Sequence, residues 1–128
     1  MSIRFHYQTD IKIKGVRKIK TFLPAIFKQE KAAMKSLDYI FCDDNYILSI
    51  NQQFLQHDYF TDIITFDMTE PGTRAIIGEI YISIDTVVSN AAKFGTSFPE
   101  ELLRVIFHGA LHLCGYTDKS ASKKAEMR

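Results

Sequence analysis

Three residues near the C-terminus have types and spacing that suit a metal ion: His108, His112 and Asp118. The two histidines are four residues apart, so on a helix both rings project from one face about one turn apart. Gly115 stands where that helix should stop, because glycine readily adopts the left-handed conformation that ends helices. The chain can then turn back and bring Asp118 to the same point. Two neutral imidazoles and one carboxylate suit Zn²⁺, with a fourth position open for water or substrate.

An ordinary pair of packing histidines is the competing interpretation of this stretch. With four histidines in the chain, a pair four residues apart would arise by chance roughly one time in ten, and motif matches carry that risk. The surrounding helix is otherwise apolar, however, and two unpaired imidazoles would be costly there. Gly109 also lies inside the helix at a cost of about 1 kcal/mol relative to alanine, which often has a packing or functional reason. These features favour the metal site.

The spacing of the motif narrows the chemistry that a metal would do. The pattern H-x-x-x-H-x-x-G-x-x-D matches that of a metzincin protease, except that the last ligand is aspartate. In that class the glutamate after the first histidine is the general base. Here Gly109 occupies that position and cannot accept a proton, so a peptidase lacks its central group. Zn²⁺ can still lower the pKa of a bound water toward neutrality, which leaves hydrolysis of another substrate as the predicted chemistry.

The metal motif lies on the last of several elements that the hydrophobic pattern predicts. Pro24 falls inside the first helical pattern and marks a kink or a helix start. Asp85 is expected to cap the third helix, while Pro99 suits the start of the fourth. The pattern predicts one α+β domain over 1–128, with a small mixed sheet of roughly four strands packed with helices. Strands are expected at 2–7, 37–42, 61–68 and 75–83, the last two paired. Helices are expected at 16–33, 85–94 and 99–114, and one more is expected to follow a turn and N-cap at 43–45 and to end near residue 55.

Composition and charge are those of a globular domain with an uneven charge distribution. The chain has 128 residues, 46% of them hydrophobic, and a net charge of +1. Residues 1–35 carry nine Lys/Arg against two Asp/Glu, whereas residues 36–85 carry one against nine. The basic third is compatible with a phosphate-binding face, although lysines that solvate the outer side of a helix are the simpler explanation.

The cysteines and the apolar runs indicate the compartment. Cys42 and Cys114 lie in apolar contexts without C-x-x-C spacing, which predicts buried, reduced thiols rather than a disulfide framework. The N-terminal segment has no signal-peptide pattern, and no apolar run is long enough to cross a bilayer. We therefore expect a cytoplasmic protein with no membrane partner.

Several stretches of the chain resemble those of one known family. HGALHLCGYTD (108–118) is similar to the signature HGxLHLxGYDH of the YbeY family, the rRNA maturation factors and metal-dependent endoribonucleases. NQQFLQHDYFTDIITF (51–66) resembles the family's N-x-x-(Y/F)-R-x-x-D-x-x-T-(D/N)-V-L-S-F, and IGEIYIS (77–83) resembles its L-G-D-I-x-I segment. Glu126 and Met127 match the acidic residue and methionine beyond the third ligand. The resemblance extends through nearly the whole chain.

This resemblance implies a fold, an activity and partners. The implied fold is α+β, with a mixed, roughly four-stranded sheet, about five helices and a metal site at the C-terminal helix. The implied activity is zinc-dependent, single-strand-specific endoribonuclease cleavage in ribosomal RNA processing, at the 3′ end of small-subunit rRNA, and in ribosome quality control. The implied ligands of one Zn²⁺ are His108, His112 and Asp118. The implied partners are the small ribosomal subunit, its proteins and a ribosome-associated GTPase.

Three positions depart from the family pattern. Asp118 replaces the usual histidine ligand and Thr117 replaces the aspartate before it; aspartate is a competent zinc ligand that adds one negative charge. Leu55 occupies the position where the family commonly has an arginine with a catalytic or phosphate-binding role, and leucine can do neither. A zinc endoribonuclease is therefore the first hypothesis. The second hypothesis is a non-catalytic ribosome-biogenesis factor in which the metal mainly holds the C-terminal helix and loop together. The third is a metallopeptidase.

Other positions matched to the family have a structural as well as a functional interpretation. Asp62 starts a strand, where an aspartate is more often a cap or turn residue than a catalyst. Glu79 lies between apolar residues. A buried salt bridge with a lysine and a functional role near the metal are equally good explanations for it. Cys114 points away from the histidine face, so we expect it to pack in the core. Three aromatic residues could stack on RNA bases: Tyr59, Phe60 and Phe66. For Phe66 we expect core packing instead.

Overall fold

Four strands and four helices make up residues 2–55 and 61–115, which are the residues that the computed structural model describes. In chain order they are β1 (Ser2–Tyr7), α1 (Val16–Gln29), β2 (Met34–Cys42), α2 (Asp44–Leu55), β3 (Ile63–Asp67), β4 (Ile76–Ser83), α3 (Ile84–Phe94) and α4 (Phe98–Leu113). The mixed α+β class is confirmed. The expected fifth helix is not among the described residues.

The four strands form one mixed sheet in the order β1-β2-β4-β3. Strands β1, β2 and β4 run parallel, and Leu37 of β2 lies opposite Gly78 of β4. Strand β3 pairs antiparallel with β4, where Phe66 lies opposite Glu79. Parallel neighbours need a long crossover, which α1 provides between β1 and β2, whereas the short link from Asp67 to Ile76 suits an antiparallel pair. The predicted sheet and the predicted pairing of its last two strands are confirmed.

Helix α1 is shorter than the sequence pattern predicts. Its core-facing residues Ile19, Leu23 and Phe27 keep the expected helical spacing, and the helix continues through Pro24. It ends at Gln29 rather than near residue 33, because Lys31 adopts a left-handed conformation with φ 57°. The amide of Ala32 then bonds to the carbonyl of Phe27 at 2.8 Å, and the chain enters β2 at Met34, three residues earlier than predicted.

Both faces of the sheet are covered by helices. One face packs against α1, α3 and α4 around the main core, which includes the fully buried Tyr39, Ile80 and Ile106. On the other face α2 covers a smaller cluster of Cys42, Ile47, Ile50 and Ile64, and Phe66 packs against this cluster as predicted. No described helix is both long and apolar enough to cross a bilayer.

Serines begin the two helices that follow the sheet. The hydroxyl of Ser97 accepts the amide of Glu100 at the start of α4, and Pro99 lies in the first turn as expected. For α3 the cap is Ser83, whose hydroxyl accepts the amide of Thr86, so the prediction of Asp85 as the cap was wrong. Ser83 is the last, extended residue of β4 and therefore has the cap conformation, which leaves Asp85 inside the first turn.

Candidate metal centre

Two glycines let α4 lie directly on the sheet. A Cβ atom on Gly109 would lie 2.9 Å from Cδ1 of Ile63 and 3.0 Å from Cγ2 of Ile80, both unusually close for real Cβ atoms. A Cβ atom on Gly78 in β4 would collide with the side chain of Leu113 at the end of α4. Position 109 therefore faces the sheet, which explains the glycine inside the helix. A larger side chain there would point into the core.

A buried tyrosine fixes the middle of α4. The hydroxyl of Tyr39 donates a hydrogen bond of 2.8 Å to the carbonyl oxygen of Ile106. Burial raises the pKa of Tyr39, so the hydroxyl stays protonated and able to donate. The turn just before His108 is thereby tied to β2, one of the two central strands.

The two histidines lie on a half-buried face of α4 with a pocket beside it. His108 and His112 are both half-buried, and their spacing in α4 places the rings one turn apart on one face. Arg104 precedes His108 by the same four residues, so one stripe of the helix carries a guanidinium and two imidazoles. A pocket of about 220 Å³ is lined by Arg104, Phe107, His108 and Leu111.

Arg104 joins the histidine face to the start of β3. Its Nε and Nη2 donate to the carboxylate of Glu101 at 3.0 and 2.6 Å, and its Nη2 lies 3.7 Å from Oδ2 of Asp62. The hydrogen bonds to Glu101 raise the pKa of the guanidinium, which therefore stays charged. Arg104 was not predicted as a site residue, although its four-residue spacing from His108 was a signal for it.

Comparison with known proteins places the chain in a family. The family model described as endoribonuclease YbeY matches residues 3–128. The chain belongs to the YbeY family. The resemblance recognised in the sequence motifs is therefore confirmed.

Individual relatives extend this match over most of their own length. An Endoribonuclease YbeY from Flavobacterium psychrophilum is 44% identical over 126 residues, covering 98% of this chain and 89% of the relative. One from Cytophaga hutchinsonii is 46% identical, covering 97% of this chain and 86% of the relative. A Thermotoga maritima protein whose structure was solved in solution is 34% identical with a TM-score of 0.60, covering 91% of this chain and 73% of that one. Family and fold thus agree.

The YbeY signature supplies two potential ligands within the described residues. These are His108 and His112, whereas Asp118 lies outside residues 2–55 and 61–115, as do Tyr59 and Phe60. Across those two ranges no three His, Cys, Asp or Glu side chains are grouped so that they could hold a metal ion. A three-ligand site therefore needs a donor from the rest of the chain. Two imidazoles on one helical face are donors that suit Zn²⁺, so the described residues fit the ion.

Other positions matched to YbeY motifs have structural partners. Leu55 is the last residue of α2, with 39% of its surface exposed. Asp62 lies in a bend just before β3, in agreement with the predicted cap or turn role, and its carboxylate also forms an ion pair with Arg104. Glu79 accepts a hydrogen bond of 3.3 Å from the hydroxyl of Tyr81. Of its two weighed roles, the salt bridge with a lysine is not formed within the described part of the chain.

Both cysteines are free thiols, as predicted. Cys42 is fully buried; burial, with the negative charges of Asp43 and Asp44, raises the pKa of its thiol to about 12. Cys114 packs against the main core, and burial, with the nearby Glu30, raises its pKa to about 11. Its contact with the main core makes Cys114 a packing residue, as predicted.

Helix α1, which carries much of the basic N-terminal third, lies beside the helix that bears the two histidines. It links β1 to β2 and packs against α4, which also contacts β3 and β4. That the basic third forms a phosphate-binding face stays a prediction.

Proposed function

We propose that this chain is a zinc-dependent endoribonuclease that cuts single-stranded RNA in ribosomal RNA processing, at the 3′ end of small-subunit rRNA, and in ribosome quality control. The observation that carries the proposal is the pair His108 and His112 on one half-buried face of α4, beside a pocket. Relatives that cover nearly the whole chain are named endoribonucleases, which supports RNA as the substrate.

The residues of the site divide between holding the ion and shaping the space for substrate. His108, His112 and Asp118 would hold one Zn²⁺, with a fourth position open. Zn²⁺ supplies a Lewis acid that lowers the pKa of water and offsets negative charge developing on a phosphate. Phe107 and Leu111 give the adjoining pocket apolar walls.

The proposed setting is the cytoplasm, with ribosomal RNA and the small ribosomal subunit as partners. Small-subunit proteins and a ribosome-associated GTPase are further proposed partners. Membership of the YbeY family supports this setting.

The zinc site is tested by elemental analysis of the purified protein. We expect about one equivalent of zinc in the wild-type chain, following the usual single-ion site with three protein ligands. His108→Ala and Asp118→Ala should both lose it, because each removes one of three ligands. His6→Ala is the matched control, since His6 lies on β1 at the far edge of the sheet, where it pairs with Asp38 at 2.7 Å. Equal zinc in all four proteins would contradict the assignment.

RNA cleavage is tested with the same set of proteins. The wild-type protein and His6→Ala should cut single-stranded RNA and leave a duplex of the same sequence intact, and chelation should stop the reaction. His108→Ala should be inactive because it lacks the ion. Cleavage by His108→Ala at the wild-type rate would show that the activity comes from a contaminant or another site.

A non-catalytic ribosome-biogenesis factor is the alternative, and Leu55 favours it. An exposed leucine at the end of α2 supplies neither charge nor a hydrogen-bond donor to a phosphate. In that case, binding to immature small subunits would persist in His108→Ala, and the wild-type protein would not cut RNA. The metallopeptidase hypothesis is weaker, because Gly109 faces the sheet and no base occupies the position next to His108.

A further inference from the structure

Among the described residues, those that bind the guanidinium of Arg104 hold it along one edge. Its Nε and Nη2 atoms donate to the two carboxylate oxygens of Glu101, and Asp62 approaches Nη2. Glu101 is 2% exposed, so this carboxylate is a fixed anchor rather than a mobile surface group. Arginine has five N–H donors in a planar fork, and no residue of the described ranges accepts a hydrogen bond from Nη1.

The remaining donors of Arg104 belong to a side chain that lines the pocket next to His108. The other walls are His108 and the apolar side chains of Phe107 and Leu111. The volume of about 220 Å³ is below the roughly 300–1,000 Å³ typical of sites for drug-sized ligands. The pocket therefore has room for a phosphate group. An anion there would find Arg104 as its main cationic partner among the lining residues.

We propose that Arg104 binds a non-bridging oxygen of the RNA phosphate in this pocket, through its Nη1 donors, and so positions that phosphate beside His108. This inference rests on the proposed function. Glu101 holds the planar group in one orientation, which reduces the rotamer freedom lost when the phosphate binds. Because Glu101 and Asp62 offset its charge, Arg104 acts by short-range hydrogen bonding and not by attracting RNA from a distance.

Binding of a non-cleavable RNA measures this contact separately from catalysis. The probe is a short, fluorescein-labelled single-stranded RNA with 2′-O-methyl groups throughout, titrated with full-length protein at several KCl concentrations. Arg104→Gln should weaken binding about tenfold, in line with the loss of hydrogen bonds to a charged group. The slope of log K against log salt should fall by at most about 0.7, the value for one full phosphate contact on a single strand, because Glu101 and Asp62 offset part of the charge of Arg104.

Two further variants separate phosphate binding from a structural role. The double variant Glu101→Gln/Arg104→Gln removes both charges of the pair, so it keeps the net charge and leaves no buried carboxylate unpaired. It should bind RNA as weakly as Arg104→Gln. Arg4→Gln is the matched control, because Arg4 forms the same fork with Asp38, at 2.8 and 3.1 Å, on the far edge strand. It removes one positive charge as well, and it should weaken RNA binding much less than Arg104→Gln does.

The outcomes distinguish this inference from the proposed function. If the wild-type protein cuts RNA but the double variant binds the probe with wild-type affinity and salt slope, Arg104 only neutralises Glu101 and the inference is wrong. If Arg4→Gln weakens binding as much as Arg104→Gln, the effect is one of overall charge, and the inference is again wrong. A wild-type protein that neither binds nor cuts RNA overturns both proposals.

Discussion

Glu101 and Asp38 each hold an arginine in a two-point fork, but in very different surroundings. Within the described part of the chain, Glu101 is the one charged residue that is buried, and its partner Arg104 has 22% of its side chain exposed. Asp38 pairs with Arg4, whose side chain is 60% exposed. Removing one partner from a buried pair leaves the other partly desolvated, whereas exposed pairs contribute little because water screens them.

Replacing Glu101 should therefore affect stability more than replacing Asp38. We expect Glu101→Ala to lower the free energy of unfolding by about 1–3 kcal/mol, less than for a fully buried pair, because Arg104 can turn toward solvent or Asp62. Asp38→Asn should change it much less. Urea unfolding followed by circular dichroism gives both values, and a larger loss for Asp38→Asn would contradict this account of burial.

At the scale of elements, the position of α4 depends on the absence of a side chain at Gly109. Alanine would improve helix propensity by about 1 kcal/mol. Its methyl group, however, would lie 2.9 Å from Cδ1 of Ile63 and 3.0 Å from Cγ2 of Ile80, closer than van der Waals contact. Overpacking of this kind costs roughly 1–3 kcal/mol. Since Cγ2 of Ile80 is attached directly to a branched carbon, it cannot rotate away alone, and the steric cost should exceed the gain.

Gly109→Ala is therefore expected to destabilise the protein by up to about 2 kcal/mol. It should also lower zinc affinity, because moving α4 displaces His108 and His112 together. Adding Ile63→Val removes the Cδ1 atom that the new methyl group meets and should recover part of both losses. Thermal unfolding and zinc titration of the two variants check this. A Gly109→Ala protein more stable than the wild type would show that the glycine is not needed for packing.

Elements with periodic apolar residues were predictable from the sequence, whereas their ends and long-range partners were not. The spacing of Ile19, Leu23 and Phe27 predicts α1, but its end depends on Lys31, a non-glycine residue in a left-handed conformation that no composition rule indicates. Both Ser83 and Asp85 can cap a helix, and only the end of β4 decides between them. The ion pair between Arg104 and Asp62 joins residues far apart in sequence. It could be predicted only after the order of the strands was known.

At the scale of the whole molecule, two tyrosines and a cysteine, buried or partly buried and neutral when protonated, should make the folded protein less stable at alkaline pH. Burial raises the pKa of Tyr39, and the pKa values of Tyr81 and Cys42 rise to about 12, first through burial. In the unfolded chain these groups lose their protons near pH 9–10, at their ordinary pKa values of 9.0 for cysteine and 10.0 for tyrosine. The stabilisation is complete below that range and is lost as pH rises toward the folded-state values.

We therefore expect the free energy of unfolding to be constant near neutral pH and to fall above about pH 9, by up to about 1.4 kcal/mol per pH unit for each of the buried Tyr39 and Cys42. The contribution of Tyr81 should be smaller, because its side chain is partly exposed and solvent screens its charge. Tyr81→Phe should make the decline less steep, because it removes one of these groups and retains the ring. Urea unfolding between pH 7 and 11 provides the measurement. Stability that increases over this range would contradict the direction of the pKa shifts.

The strand order also has a consequence for the chain while it is being synthesised. Among the described strands, β3 pairs only with β4, and β2 keeps one edge open until β4 arrives. A nascent chain that has emerged only as far as Asp67 therefore exposes the edge of a central strand and has a hairpin strand without a partner. Unpaired edges and uncovered apolar surface favour aggregation of such intermediates. A pause in translation that occurs before Ser83 has emerged should thus reduce the yield of folded protein more than a later pause.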